Sequence, residues 1–272
     1  MVIPAYAGAL NPATKRPTAL ITGASAGIGL ALARRMAPEF DLILTARSQA
    51  RLEQIARDLQ QAHGNLVHVI VADLTRPQAP DEIFAEIGRR CLRVDALINN
   101  AGFGSYGLFS ENAWQEETEM IQVNITALTH LTKLALPQML ERKSGRIMNV
   151  ASTAGFQPGP LMAVYYATKA YVISFSEAIA NELAGSGVTV TCLCPGATES
   201  EFAKRADMEK SRLFKMGQMK AEDVAQAGYR AMIEGKTLMI TGLRNRIMAQ
   251  SVRFSPRKMV TAIARRVQER VE

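Results

Sequence analysis

Along this 272-residue chain, short runs of branched apolar residues alternate with longer stretches of helical periodicity. That alternation restricts the fold more than any other feature. TALITG at 18–23, DLILTAR at 41–47, NLVHVIVADL at 65–74 and VDALINNAG at 94–102 read as strands. GRIMNVAS at 145–152, VTVTCLCPG at 188–196 and TLMIT at 237–241 complete the set. Helical stretches fall between them, at about 28–40, 48–62, 80–92, 112–142, 163–185 and 221–233. The strand runs are near-continuously apolar and bounded by Gly, Asp or Asn, the pattern of strands buried on both faces. A strand–helix–strand order implies parallel pairing through right-handed crossovers. The expected architecture is therefore a doubly wound α/β sheet of about seven strands with helices on both faces.

Composition agrees: 48% hydrophobic and 21% charged residues suffice for a full-sized core. No internal repeat or Pro/Gly/Ser-rich linker divides 18–241, which is read as one domain. Residues 1–17 are expected to be a flexible leader. Their apolar run is broken by Pro4 and Pro12 and lacks the early positive charge of a signal peptide.

The first strand runs into Gly23, Ala24, Ser25, Ala26, Gly27, Ile28 and Gly29, where the first helix begins. Glycines there let the chain turn sharply and bring backbone N–H groups close to a pyrophosphate. The helix N-terminus adds partial positive charge. The second strand ends at Arg47-Ser48, where an acidic residue would instead receive a ribose 2′-OH. Arg47 offers a planar fork of donors to a 2′-phosphate, with Ser48 beside it, so NADP(H) is expected over NAD(H). The glycine loop has no Lys or Arg of its own.

The spacing is G-x-x-x-G-x-G, preceded by Thr22. Asn99-Asn100-Ala101-Gly102 closes the fourth strand, and Tyr165 and Lys169 form Y-x-x-x-K. In this order, over about 18–241, the chain resembles the short-chain dehydrogenase/reductase family, of the NADP-preferring type. The resemblance implies a Rossmann-type sheet and an oxidoreductase moving hydride between a nicotinamide and a carbonyl or secondary alcohol. It places Asp73-Leu74 beside the adenine, and Asn100, Ala101 and Gly102 along the middle of the cofactor. It sets Pro195-Gly196-Ala197-Thr198 at the nicotinamide carboxamide. Where the family often has Thr four residues after that Gly, this chain has Ser200.

Reducing a carbonyl also requires a proton and stabilisation of the developing oxyanion. A free tyrosine has a pKa of about 10 and needs help at neutral pH. A lysine four residues on lies on the same helix face, and its charge favours tyrosinate. This singles out Tyr165 with Lys169, because the i+4 partner of Tyr166 is Ala170. Lys169 is also expected to hold the nicotinamide ribose. By resemblance, Ser152 orients the substrate oxygen, with Thr153 as its substitute one residue on. Asn124, a poor helix former inside 112–142, helps hold a water linking Lys169 to solvent.

Cys192 and Cys194, two apart on a strand, face the same side and read as a buried pair. Cys91 is the third cysteine, and the odd count suits a reducing compartment. His63, His68 and His130 lack ligand spacing, so no metal site is expected. No run of 18 apolar residues suggests a span, and a cytoplasmic location follows.

Substrate contacts are expected from Gly155–Val164 and from Glu199–Lys220. The latter bears Phe202, Met208, Leu213, Phe214, Met216 and Met219. A hydrophobic or acyl-type substrate and ordinary lid packing both account for them.

The net charge of +7 is concentrated in 242–272, with eight basic residues against Glu269 and Glu272. Val260, Ile263 and Val267 fall at helical spacing, and Pro256 separates two short amphipathic helices. Packing on the body or on a neighbouring subunit, a peripheral contact with an anionic membrane, and docking of an acidic partner all suit such an extension. Nucleic acid does not, for want of a reading motif.

The expected partners are a small-molecule carbonyl or alcohol and, by resemblance, further copies in a homodimer or homotetramer. The alternatives are a reductase of carrier-bound 3-oxoacyl thioesters and a non-catalytic NADPH-sensing scaffold of the same fold. An intact Ser152–Tyr165–Lys169 set argues against the scaffold.

Overall fold

The computed structural model describes residues 16–199 and 217–269. Seven strands form one sheet: β1 (Thr18–Thr22), β2 (Asp41–Ala46), β3 (Val67–Val71), β4 (Ala96–Asn99), β5 (Gly145–Val150), β6 (Val188–Cys194) and β7 (Leu238–Ile240). Their order is β3-β2-β1-β4-β5-β6-β7, and every pair is parallel. This is the Rossmann-type architecture expected. The order reverses between β1 and β4, which opens a crevice at the carboxyl ends of those strands.

Alternate residues of the buried strands feed two cores. Leu20, Ile43, Leu97, Ile147 and Val190 face α3 (Ala79–Arg89), α4 (Trp114–Ile121), α5 (Leu128–Glu141) and α6 (Ala163–Glu182). Ile21, Leu44, Ile98, Met148 and Leu193 face α1 (Gly27–Met36), α2 (Gln49–His63) and α7 (Ala221–Ile233). All ten are buried, each worth roughly 1.5–3 kcal/mol relative to exposure. The fold is thus stapled equally from both sides. Helix α7 is fastened to α1 through Tyr229, which meets Phe40 edge-on and lies 3.8 Å beneath the Arg35 guanidinium.

One element differs from the sequence expectation. The stretch 112–142 is not one α-helix: α4 and α5 are joined by a π-helical segment at Gln122–Ala127, which contains Asn124. The wider turn re-aims side chains that a regular helix would place elsewhere. After β7 the two helices expected on either side of Pro256 are present as α8 (Leu243–Ser251) and α9 (Arg257–Gln268), joined by a 3₁₀ turn at Val252–Phe254, and they fold back across the crevice. Val260, Ala264 and Gln268 form the buried face of α9, whereas α8 buries only Ala249 and is not the amphipathic helix expected. Residues 1–15 and 200–216 lie outside the described residues, and with them Ser200 and most of the expected lid.

Candidate active site

The crevice is one cavity of about 920 Å³, at the large end for a small-molecule site. It runs from the glycine loop to the start of α6 and ends beneath α8 and α9.

At its first end, α1 starts with Ala26 as an N-cap that makes no side-chain hydrogen bond and with no acidic residue in its first turn. The helix therefore leaves its N-terminal donors facing the cavity, where Gly23, Ser25, Ala26, Gly27 and Ile28 form the wall. Gly23 has φ +65°, and a Cβ there would sit 2.9 Å from the Ala101 Cα. Gly29 does not line the cavity; it lets α1 press on the loop, since a Cβ would lie 2.3 Å from the Gly23 carbonyl oxygen.

Asn100 fixes the loop in place. Its Nδ2 donates to the carbonyls of Thr22 (2.9 Å) and Gly23 (3.2 Å), while its backbone N–H and that of Ala101 donate to the Thr22 hydroxyl. Asn99 turns the other way, into a buried chain. Its Nδ2 donates to Thr132 Oγ1 and to Asn149 Oδ1, and Asn149 donates in turn to Ser176. Asn149, Thr132 and Ser176 carry no motif and escape sequence reasoning.

Arg47 and Ser48 reach the cavity from the end of β2, and the exposed Arg47 leaves its guanidinium accessible. Arg51, one turn further along α2, lines the same wall and supplies the second cation that the glycine loop lacks. The i, i+4 spacing after Arg47 could have revealed it. Asp73 caps its own turn by accepting from the Thr75 N–H and hydroxyl, and the buried Leu74 follows it on the wall.

Ser152, Tyr165 and Lys169 converge at the other end. Ser152 follows β5 and caps the 3₁₀ turn Thr153–Phe156 by accepting from the Ala154 N–H at 3.1 Å. Burial pushes the Tyr165 pKa far above that of a free phenol, while the Ser152 side chain beside it pulls it down. The Lys169 Nζ donates to the Val150 carbonyl at 2.9 Å and stands 5.7 Å from the Tyr165 ring centre. Burial lowers the Lys169 pKa to about 8, against the opposing effect of Cys192 and Cys194. Those two thiols are buried as a pair, Sγ to Sγ 3.7 Å.

Asn124 lies outside the cavity wall. Its amide donates to the Phe103 carbonyl and the Thr168 hydroxyl, and it accepts from the Phe103 N–H. Its Oδ1 and the Lys169 Nζ approach one point, 3.0 and 3.4 Å from where a Cβ on Gly102 would stand. Gly102 is thus what leaves room for the two groups to face each other.

Pro195, Gly196 and Thr198 line the cavity after β6. Gly196 is overlain by Asn245 from α8, whose Nδ2 would lie 2.3 Å from a Cβ there. Further out, Tyr166 meets Tyr165 edge-on, ring centres 6.1 Å apart, with Gln268 of the extension beside its hydroxyl. Burial raises its pKa to about 12, with the Gln268 amide close to its hydroxyl acting in the other direction. The Tyr106 hydroxyl donates to the Gln268 carbonyl at 2.9 Å. Tyr106, Asn245 and Gln268 lie at this end without any local sequence signal. Among the described residues there is no cluster of three metal-ligating side chains.

A parallel sheet with a cradle for a pyrophosphate at one end of a cavity and a tyrosine–lysine–serine cluster at the other defines a nicotinamide-dependent dehydrogenase. The family model for short chain dehydrogenase matches residues 17–211, and the chain belongs to that family. It is an oxidoreductase that acts on carbonyl or alcohol groups. Among curated proteins it is 34% identical over 231 residues to the ketoacyl reductase HetN of Nostoc, covering 85% of this chain and 79% of that one. Among solved structures it resembles a short-chain dehydrogenase from Sphingobium yanoikuyae in complex with NADPH. The two share 34% identity with a TM-score of 0.79, over 86% of this chain and 92% of the other. It also resembles the bulky-bulky ketone specific alcohol dehydrogenase of Comamonas testosteroni, with 29% identity and a TM-score of 0.75 over 88% and 92%.

Proposed function

We propose that this protein is an NADP(H)-dependent reductase of ketones or aldehydes, with Tyr165 as its general acid. The observation that carries the reading is the single cavity joining Arg47 and the glycine loop to Ser152, Tyr165 and Lys169. Bound NADPH supplies hydride to the carbonyl carbon. Ser152 donates a hydrogen bond to the carbonyl oxygen and holds it next to the Tyr165 hydroxyl. Tyr165 gives up its proton as that oxygen takes on negative charge. Lys169 stabilises the resulting tyrosinate by its charge, and Asn124 continues the proton path from the lysine amine. Arg47 and Arg51 bind the 2′-phosphate, Ser48 adds a donor, and Asp73 and Leu74 border the adenine. Gly23, Ser25, Ala26, Gly27 and Ile28 accommodate the pyrophosphate with Gly29 letting α1 close behind them, while Asn100, Ala101, Gly102, Pro195, Gly196 and Thr198 place the nicotinamide half.

In this reading 18–241 is the catalytic domain and 242–272 an extension that walls its substrate end. The protein works in the cytoplasm as a homodimer or homotetramer, with a peripheral membrane contact through the extension. No helix among the described residues is long and apolar enough to cross a membrane. A second reading, reduction of a carrier-bound 3-oxoacyl thioester, is favoured by the apolar wall that Val260, Ile263 and Val267 add to the cavity.

An NADPH-oxidation screen over aldehydes, ketones, quinones, steroids and acyl thioesters tests both readings. Turnover with carbonyls and preference for NADPH over NADH support the first. Activity confined to acyl thioesters supports the second, and no turnover with any carbonyl overturns both.

A further inference from the structure

The carboxyl-terminal extension has a surface that carbonyl reduction does not use. From Leu243 to Gln268 the chain holds seven cations, Arg244, Arg246, Arg253, Arg257, Lys258, Arg265 and Arg266, and no Asp or Glu. Of these seven, only Arg265 has an ion-pair partner among the described residues, Glu269 at 3.8 Å. The same stretch bears the two most exposed large apolar side chains of the described residues, Phe254 (88%) and Leu243 (74%). Ile247, one turn beyond Leu243, continues the outward stripe. Leu243, Met248, Met259 and Ile263 are exposed and also line the cavity, so they form its rim. An apolar, cation-rich surface thus borders the cavity at this end.

We infer that this surface docks on an anionic lipid bilayer. Phe254, Leu243 and Ile247 enter the acyl boundary, and the arginines sit at phosphate depth. The cavity then opens toward the membrane interior, and its substrate is a lipophilic carbonyl partitioned in the bilayer. Charge complementarity selects this occupant. A second copy of the chain would bring seven more cations against the first seven in an isologous contact, whereas headgroup phosphates neutralise them all. Docking is argued from the surface alone. Only the carbonyl nature of the substrate rests on the proposed reductase reading.

The test uses the full chain in flotation with vesicles of phosphatidylcholine alone or mixed with phosphatidylglycerol. The wild type is expected to float with the mixed vesicles, to ignore the neutral ones, and to be released by salt. Two double variants, Ile247→Ser with Phe254→Ser and Arg246→Glu with Arg253→Glu, change residues that do not line the cavity. Each is expected to keep its melting temperature and its turnover of a water-soluble ketone, and to lose vesicle binding by at least about tenfold. With a ketone dissolved in mixed vesicles, the wild type should outpace both variants by a similar factor.

No flotation of the wild type at low salt, or flotation that the variants retain, overturns the proposal. So does a protein that ignores vesicles and is a dimer until Phe254→Ser makes it a monomer. Equal rates on the vesicle-borne ketone overturn the membrane route of substrate delivery. If the wild type floats but reduces no carbonyl, docking stands and the reductase reading fails. Tyr165→Phe, floating like the wild type without turnover, separates the two functions.

Discussion

Tyr165 and Lys169 are both buried, and burial moves their proton affinities in opposite directions. The tyrosine holds its proton more tightly than a free phenol, and the lysine holds its own less tightly, with a pKa near 8. A tyrosine that stays protonated over the whole working range is always ready to donate. What can fail is the charge beside it. The ammonium form prevails below pH 8 and is lost above, so the reduction rate should hold up to about pH 8 and then fall. Lys169→Arg, which cannot deprotonate, should flatten that limb, and a wild-type profile level to pH 10 would detach Lys169 from the chemistry. The second residue-scale expectation concerns Arg47. A charge-assisted hydrogen bond contributes about 1.5–3 kcal/mol, so Arg47→Asp should weaken NADPH binding roughly ten- to hundredfold and leave NADH binding little changed. Titration of cofactor fluorescence reads both constants, and equal NADPH and NADH affinity in the wild type would sink the NADP preference.

The glycine loop is an element-scale device. Asn100 ties the Thr22 and Gly23 carbonyls to the end of β4, and Gly29 lets α1 close onto the loop from behind. Because the obstacle at Gly29 is backbone, Gly29→Ala cannot be relieved by a rotamer change. It should cost about 1–3 kcal/mol, lowering Tm by several degrees and loosening the cofactor site. An unchanged Tm would mean that α1 shifts freely. The sequence carried this element in full, because the loop, its flanking strand and its helix are contiguous, and alternation alone set out all seven strands. The π segment around Asn124 was illegible. The π segment spans only six residues between two regular helices, so periodicity reads 112–142 as a single helix. Ser152 was ambiguous on sequence grounds because strand-end serines usually cap turns. Here it caps a turn and also lines the cavity beside Tyr165.

At the scale of the molecule, the carboxyl-terminal extension completes the cavity. Its two helices were visible in the sequence, but where they pack was not, and only α9 has the amphipathic face expected of both. The Tyr106–Gln268 contact spans 162 residues, and nothing local announces it. Removing 257–272 takes away the wall that Val260, Ile263 and Val267 contribute. For a bulky apolar ketone, losing one such side-chain contact should cost about 1.5–3 kcal/mol, raising KM roughly ten- to hundredfold. NADPH affinity, set at the far end of the cavity, should be unchanged. A parallel loss of cofactor binding would show instead that the extension holds the whole crevice together.

The central claim is that proton donation by Tyr165 completes hydride transfer in this cavity. Its most direct measurement is single-turnover reduction of a carbonyl with NADPH deuterated at the transferred position, in wild type and Tyr165→Phe. Deuterium is expected on the product carbon in the wild type. In the variant the rate is expected to be lower by about 10²–10⁴-fold with NADPH affinity unchanged. A variant that reduces the carbonyl at the wild-type rate would contradict that claim.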